Sequence, residues 1–308
     1  MSNLKDKSSA PAEMEKKQTS KRKNVDWHKA ISSAIQIDLR DYRHVLEFET
    51  EYILKDGNYR IDLLLVKKTA DAAIQKNIAK IFSTFNIFEI KGLGSSLNTD
   101  CYYKTIGYAG FLIEQQGETN EFLNSDISLS FPCMHYPRGL VKHLTKDRKL
   151  TIEKSAPGVY HINKEIFNAQ IIVIRELSPD DSLYLHCLTD KLTDTELIKR
   201  LAEDYQAHHE QNPVIYTQYL SQLIIANSTE KGGNPMVCEE LFNLFGTSSE
   251  EVTEKARKEA TKEAAAKAEA YYQPKIDELS SANNALSSKI NYLQNLLTQH
   301  NIPFSYES

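Results

Sequence analysis

The sequence predicts an α/β protein: a mixed β-sheet core flanked by helices, followed by a helical region and a C-terminal coiled-coil helix. Three observations carry that prediction. Short apolar runs bounded by turn signals read as strands, and helical patterns are interleaved with them over residues 26–176. From about Ser178 the pattern becomes helical. Its last stretch, Ile276, Leu279, Asn283, Leu286, Ile290, Leu293 and Leu297, repeats at spacings of three and four, the seam of a coiled coil with Asn283 at an a position.

The elements follow in order. Residues 1–24 are rich in Ser, Lys, Glu and Ala and nearly free of large apolar groups, which predicts a disordered basic tail. Asp26 caps a helix reaching Asp41, with Trp27, Ile31, Ala34 and Ile35 on one face. Val45–Leu54 alternates and reads as a strand, Asp56-Gly57-Asn58 as a hairpin turn, and Tyr59–Lys67 as the returning strand. A helix is expected over 70–84 from Ile74, Ile78, Ile81 and Phe82, then a strand from Phe85 to Lys91, a loop at Gly92–Ser96 and a helix from Asp100 to Glu114. Ile127–Phe131 and Gln170–Arg175 read as strands, with a hairpin between them turned by Pro157-Gly158. Helices are expected over 190–209, 213–227 and 234–245. Residues 248–273 are charged and alanine-rich, Pro274 interrupts, and the coiled-coil helix follows. The organisation is therefore a tail (1–24), a main domain (25–178), a helical region (179–246), a charged alanine-rich helix (247–273) and a coiled-coil helix (274–301).

Composition excludes several classes of function. The chain has 308 residues and a formal net charge of −5, so it is not a globally basic nucleic-acid binder; basic charge is local, at Lys16-Lys17, Lys21-Arg22-Lys23 and Lys67-Lys68. The tail lysines read either as a solvated leader or as a weak phosphate-seeking arm. No apolar stretch approaches the roughly 18 residues that span a membrane, so no membrane partner is expected, and Met1–Lys7 has no apolar core of a secretory signal. The four cysteines are far apart with no Cys-x-x-Cys pair, which fits a reducing cytoplasm and argues against structural zinc. His208-His209 diverge on a helix, Cys133-x-His135 is too little for a metal, and Gly92-Leu-Gly94 is only a loop.

The chemistry concentrates in two strands. Asp62 interrupts the run Tyr59–Val66, and Glu89 and Lys91 end the run Phe85–Lys91. Residues i and i+2 share a face of a strand, so Glu89 and Lys91 point one way and Phe88 and Ile90 the other. Charged side chains in apolar strands are costly unless paired or metal-bound. If the strands pair, two acids and a lysine can hold a divalent metal and a water beside a phosphate. The plainer alternative is a structural ion cluster at a sheet edge. A Glu-x-Lys triplet alone says little, since Glu15-Lys16-Lys17 in the polar tail is another one.

The order helix–strand–strand–strand–helix–strand, with Asp62 and Glu89-Ile90-Lys91, resembles the PD-(D/E)XK nuclease superfamily. The likeness extends through Leu46–Tyr52, Arg60–Leu65, Asn86–Lys91 and Tyr102–Ala109, covers roughly residues 26–176, and is similar to bacterial recombination-promoting and transposase-like nucleases. It implies a restriction-endonuclease-like fold and metal-dependent hydrolysis of phosphodiester bonds, in DNA. Asp62, Glu89 and the carbonyl of Ile90 would hold Mg2+ (or Mn2+), and Lys91 would orient or deprotonate the water. Ile61 stands where members carry a proline, and the first helix lacks their glutamate, so Asp38 or Asp41, or Glu49 or Glu51 from the strand, would have to replace it. Tyr103, Lys104 and Tyr108 on the next helix are accessory candidates, Lys104 and Tyr108 sharing a face at i, i+4. Burying the Ile276–Leu297 seam against a second copy predicts a homodimer on DNA; the alternative is a single amphipathic helix folded back onto its own chain's helical region. A folded but inactive nuclease scaffold serving as an oligomeric interaction protein is the alternative.

Overall fold

The computed structural model describes residues 25–53, 60–69, 72–116, 123–227 and 249–300, without the side chains of 51–53, 60–65, 116, 249–268 and 270–271. The tail, the Asp56-Gly57-Asn58 turn and the helix expected at 234–245 lie outside the described residues.

A seven-stranded mixed sheet forms the centre, in the order β1-β2-β3-β4-β7-β6-β5. The strands are β1 Leu46–Ile53, β2 Arg60–Lys68, β3 Phe85–Phe88, β4 Ile127–Cys133, β5 Thr151–Ala156, β6 Val159–Asn163 and β7 Asn168–Val173. The three central strands β3, β4 and β7 run parallel, and antiparallel hairpins, β1–β2 and β5–β6, widen the sheet on either side. Parallel neighbours need a long crossover. Helix α2, Thr99–Gln116, supplies it between β3 and β4, its first turn capped by the Asn98 side chain accepting from the Cys101 N–H at 2.9 Å.

Alternation along the strands divides the core in two. Val66, Phe88, Ile90 and Ile172 pack on one face with α1 (Trp27–Asp38). The same core takes in Tyr184, Leu201 and Tyr219 from the helices beyond residue 178, so the helical region is built onto the sheet through α1. Ile87, Leu129, Phe131, Ile171 and Val173 occupy the other face, beneath Tyr102, Ala109 and Leu112 of α2 and Leu140 of α3, Arg138–Lys142. The chain is thus a mixed sheet between two helical layers. The later helices are α4 Leu183–Cys187, α5 Thr195–His208, capped by Asp194, and α6 Pro213–Ala226, capped by Asn212 with proline in its first turn.

Two expectations are corrected. Residues 72–84 form no α-helix; Asn77–Ala79 is a single 3-10 turn in an extended connection. Ile74, Ile78 and Phe82 are buried as their spacing suggested, but tertiary hydrogen bonds hold the backbone open. Gln170 donates to the Ile78 carbonyl at 2.6 Å, Asp181 accepts from the Asn77 N–H at 3.2 Å, and Asn86 accepts from the Ser83 N–H at 2.8 Å. Pro274 does not end a helix either: α7 runs continuously from Ser249 to Gln299 through it. In the described part of α7 the seam residues Ile276, Leu279, Leu286, Ile290 and Leu293 are exposed. Among the described residues no helix is long and apolar enough to cross a membrane.

Candidate functional site

Glu89, Ile90 and Lys91 lie just past the last ladder residue of β3, in chain that continues beside β4 toward an isolated bridge between Lys91 and Cys133. The Glu89 N–H donates to the Ser130 carbonyl at 3.0 Å, and the Lys91 N–H to the Pro132 carbonyl at 2.9 Å. Successive residues of a strand turn their peptide groups to opposite neighbours, so the peptide of Ile90 is directed at β2. Pro132 has no N–H, and the rung it would return to β3 beside Glu89 is missing. A central strand rarely accepts proline; here it loosens the sheet at the C-terminal ends of two parallel strands, where α/β proteins gather their sites.

The Glu89 side chain is 3 % exposed, beneath α2. Its Oε1 is 2.7 Å from Nζ of Lys91 and 3.7 Å from Nζ of Lys104. Its Oε2 is buried and has no hydrogen-bond partner among the described residues. A buried carboxylate oxygen left unpaired costs free energy of about 1–3 kcal/mol or more, and a cation at that oxygen would remove the cost. Burial pulls the Lys91 ammonium down, but the hydrogen bond and charge of Glu89, helped by Cys101, outweigh it and hold Lys91 above the usual lysine value. Lys91 therefore places a positive charge beside Glu89.

The position of Asp62 follows from register. Thr50 pairs with Leu64 and Tyr52 with Ile61, so Asp62 and Leu63 together oppose Glu51 in a β-bulge. Leu64 pairs with Phe88 on the next strand. A regular β2 would set position 62 on the sheet face of Phe88. The extra residue reverses the alternation, and position 62 falls on the face of Leu63 and Leu65, which is also that of Glu89. The side chains of Asp62 and Glu51 lie outside the described residues. Among the described residues no three His, Cys, Asp or Glu side chains gather in one group.

The other candidates separate. Asp38 is not brought to Glu89. It is buried in the α1 layer, its two carboxylate oxygens accepting from the Tyr184 and Leu185 N–H groups at 3.0 Å, so it caps α4. Burial pushes its carboxyl up to about 7 against the pull of those two bonds. Asp41 is exposed beside Arg40, and Glu49 is exposed on β1. Lys104 joins Glu89, and its Nζ also lies 5.5 Å from the centre of the Tyr108 ring, as the shared helical face required. Tyr103 engages His143 and Arg148 instead. Residue reading missed Pro132, whose only signal was a proline inside an apolar strand. It also missed His143 and Asp147, whose i, i+4 spacing was there to be read.

Comparison with known proteins returns no matching family model, no matching curated protein and no matching solved structure.

Proposed function

We propose that this protein is a metal-dependent nuclease that hydrolyses phosphodiester bonds in DNA, on a restriction-endonuclease-like core. The observation that carries the reading is Glu89, a buried carboxylate with one oxygen on Lys91 and the other unpartnered. Glu89 Oε2, the Ile90 carbonyl and Asp62 would hold Mg2+ or Mn2+; hard oxygen donors, few in number, suit these ions. When bound, the ion supplies charge neutralisation on the phosphate and a water of lowered pKa. Lys91, kept charged by Glu89, orients that water and opposes the phosphate charge. Lys104, half-exposed at the lip of the site, meets the backbone of the nucleic acid.

The second reading, an inactive scaffold acting through oligomerisation, is favoured by the exposed seam of α7, which needs no chemistry at Glu89. Plasmid cleavage with Mg2+ or Mn2+, run beside Glu89→Ala and Lys91→Ala, tests the first. Cutting should be metal-dependent and vanish in both variants; undiminished cutting by purified Glu89→Ala protein would overturn the assignment. Metal titration separates the readings, since the scaffold has no use for a site that disappears in Asp62→Ala.

A further inference from the structure

A second constellation involves neither Glu89 nor Lys91. Tyr103 Oη lies 2.8 Å from Nε2 of His143, whose Nδ1 lies 2.8 Å from Oδ2 of Asp147, and Nη1 of Arg148 lies 3.1 Å from the same Tyr103 oxygen. The ends of this chain have only one role each: a guanidinium only donates and an ionised carboxylate only accepts. With the proton of a singly protonated ring on Nδ1, Arg148 donates to Tyr103, Tyr103 to His143 and His143 to Asp147. In that arrangement the phenolic hydroxyl faces Nε2 of His143, and the phenolic oxygen already faces the Arg148 guanidinium.

The backbone is shaped to hold this arrangement. His143–Asp147 is a π-helical turn following α3, a feature common at functional positions. Lys149, next after Arg148, is held at φ 59, a left-handed conformation costly for a residue with a side chain. From beneath, the buried Glu165 carboxylate lies 3.7 Å from Nη2 of Arg148 and accepts the Tyr102 hydroxyl. Arg148 also sits over the Tyr103 ring, 5.7 Å from its centre. Yet Tyr103 is 39 % exposed, open to a partner from solvent.

We propose that Tyr103 is an activated nucleophile that accepts a phosphoryl group from a phosphate ester. Oη attacks phosphorus and forms the O–P bond as the bond from phosphorus to the leaving oxygen breaks. The phenolic proton passes to Nε2 of His143, where Asp147 stabilises the imidazolium, and from there to the leaving oxygen, so no other reactant is needed. The fork of Arg148 suits the phosphate oxygens. The step uses neither Glu89 nor Lys91.

The test is phosphorylation of the full chain by a dialkyl fluorophosphate, in chelator, with each tyrosine followed by peptide mass mapping. Chelation silences any metal at Glu89, so failure of one site does not bear on the other. Tyr292, 65 % exposed, is the internal reference. General-base assistance is typically worth about 10²–10⁴-fold, so Tyr103 should react about 100-fold faster than Tyr292. His143→Asn should bring it to within a few-fold of Tyr292, with unchanged circular dichroism, and Asp147→Asn should fall between. The wild-type ratio needs no variant to fold. Tyr103 reacting no faster than Tyr292, or at an unchanged rate in folded His143→Asn protein, would overturn the proposal.

Discussion

Nζ of Lys91 lies 2.7 Å from Oε1 of Glu89, while Oε2 of the same carboxylate is buried with no hydrogen-bond partner among the described residues. One half of the carboxylate is neutralised by the protein and the other half is not. Removing Lys91 should therefore cost stability, because a buried charge loses its partner. Lys104 remains at 3.7 Å and Lys91 is partly exposed, so the loss in Lys91→Ala should be about 1–3 kcal/mol, below that of a fully buried pair. A divalent cation should restore it. In thermal unfolding, Mn2+ should raise the midpoint of Lys91→Ala by more than it raises the wild type. Equal shifts in the two proteins would place the bound cation away from Glu89.

The raised proton affinity of Lys91 makes a second distinction. A lysine that works as a cation can be replaced in part by arginine; one that works as a base cannot, because arginine keeps its proton. Lys91→Arg should keep measurable plasmid cleavage, while Lys91→Gln should lose about 10²-fold or more. Equal loss in both would assign Lys91 the general-base role.

The residue after Lys91 fixes where that lysine stands. A Cβ added to Gly92 would lie 2.0 Å from Cβ of Trp27, at the start of α1. Neither backbone can yield without moving the helix or the turn that carries Lys91. Gly92→Ala should cost about 1–3 kcal/mol in denaturant unfolding, as overpacked sites do, and should weaken Mn2+ binding. A variant as stable as the wild type would show that the Trp27 contact is loose.

Asp38 gives a pH signature. Its carboxyl is raised from 3.8 to about 7 by burial, against the pull of two backbone N–H bonds. With the folded value above the unfolded one, the native state binds the extra proton between about pH 4 and about pH 7. Stability from this group is present below that window and is lost as pH rises through it, at up to about 1.4 kcal/mol per pH unit. The stability difference between wild type and Asp38→Asn should shift against the wild type from pH 4 to pH 7. A difference that grows in favour of the wild type would mean that the N–H bonds outweigh burial.

How much of this was legible depended on how locally each feature is encoded. The strands around Asp62 and Glu89 announce themselves, because short apolar runs bounded by turn signals suit a sheet buried on both faces. Asp26 and Asn98 cap their helices through bonds three residues long. The segment 72–84 misled because its helical spacing of Ile74, Ile78 and Phe82 is met by a buried connection, held open by Gln170 and Asp181 about a hundred residues away. The bulge at Asp62 was also unreadable. It is a property of two strands together, and one extra residue decides which face an acid occupies. Asp38 was singled out for its charge, but its partners, Tyr184 and Leu185, are remote in sequence.

The last prediction concerns assembly. Ile276, Leu279, Leu286, Ile290 and Leu293 are 54, 71, 57, 45 and 56 % exposed along one helix. Full burial of such a side chain stabilises by about 1.5–3 kcal/mol, so even partial burial of five from each chain outweighs the few kcal/mol that association costs at the low end. Asn283 at an a position selects two parallel strands over larger bundles. The continuity of α7 through Pro274 sets the seam at the end of a long rod. A parallel pair would therefore bring the two sheet-containing cores to the same end of the assembly. Sedimentation of the full chain should give a dimer, and of a chain ending at Tyr272 a monomer. If both sediment as one species, the seam is not the dimer contact. Asn283→Leu should tighten association while admitting trimers or tetramers; a variant that remains strictly dimeric would remove Asn283 from the choice of strand number.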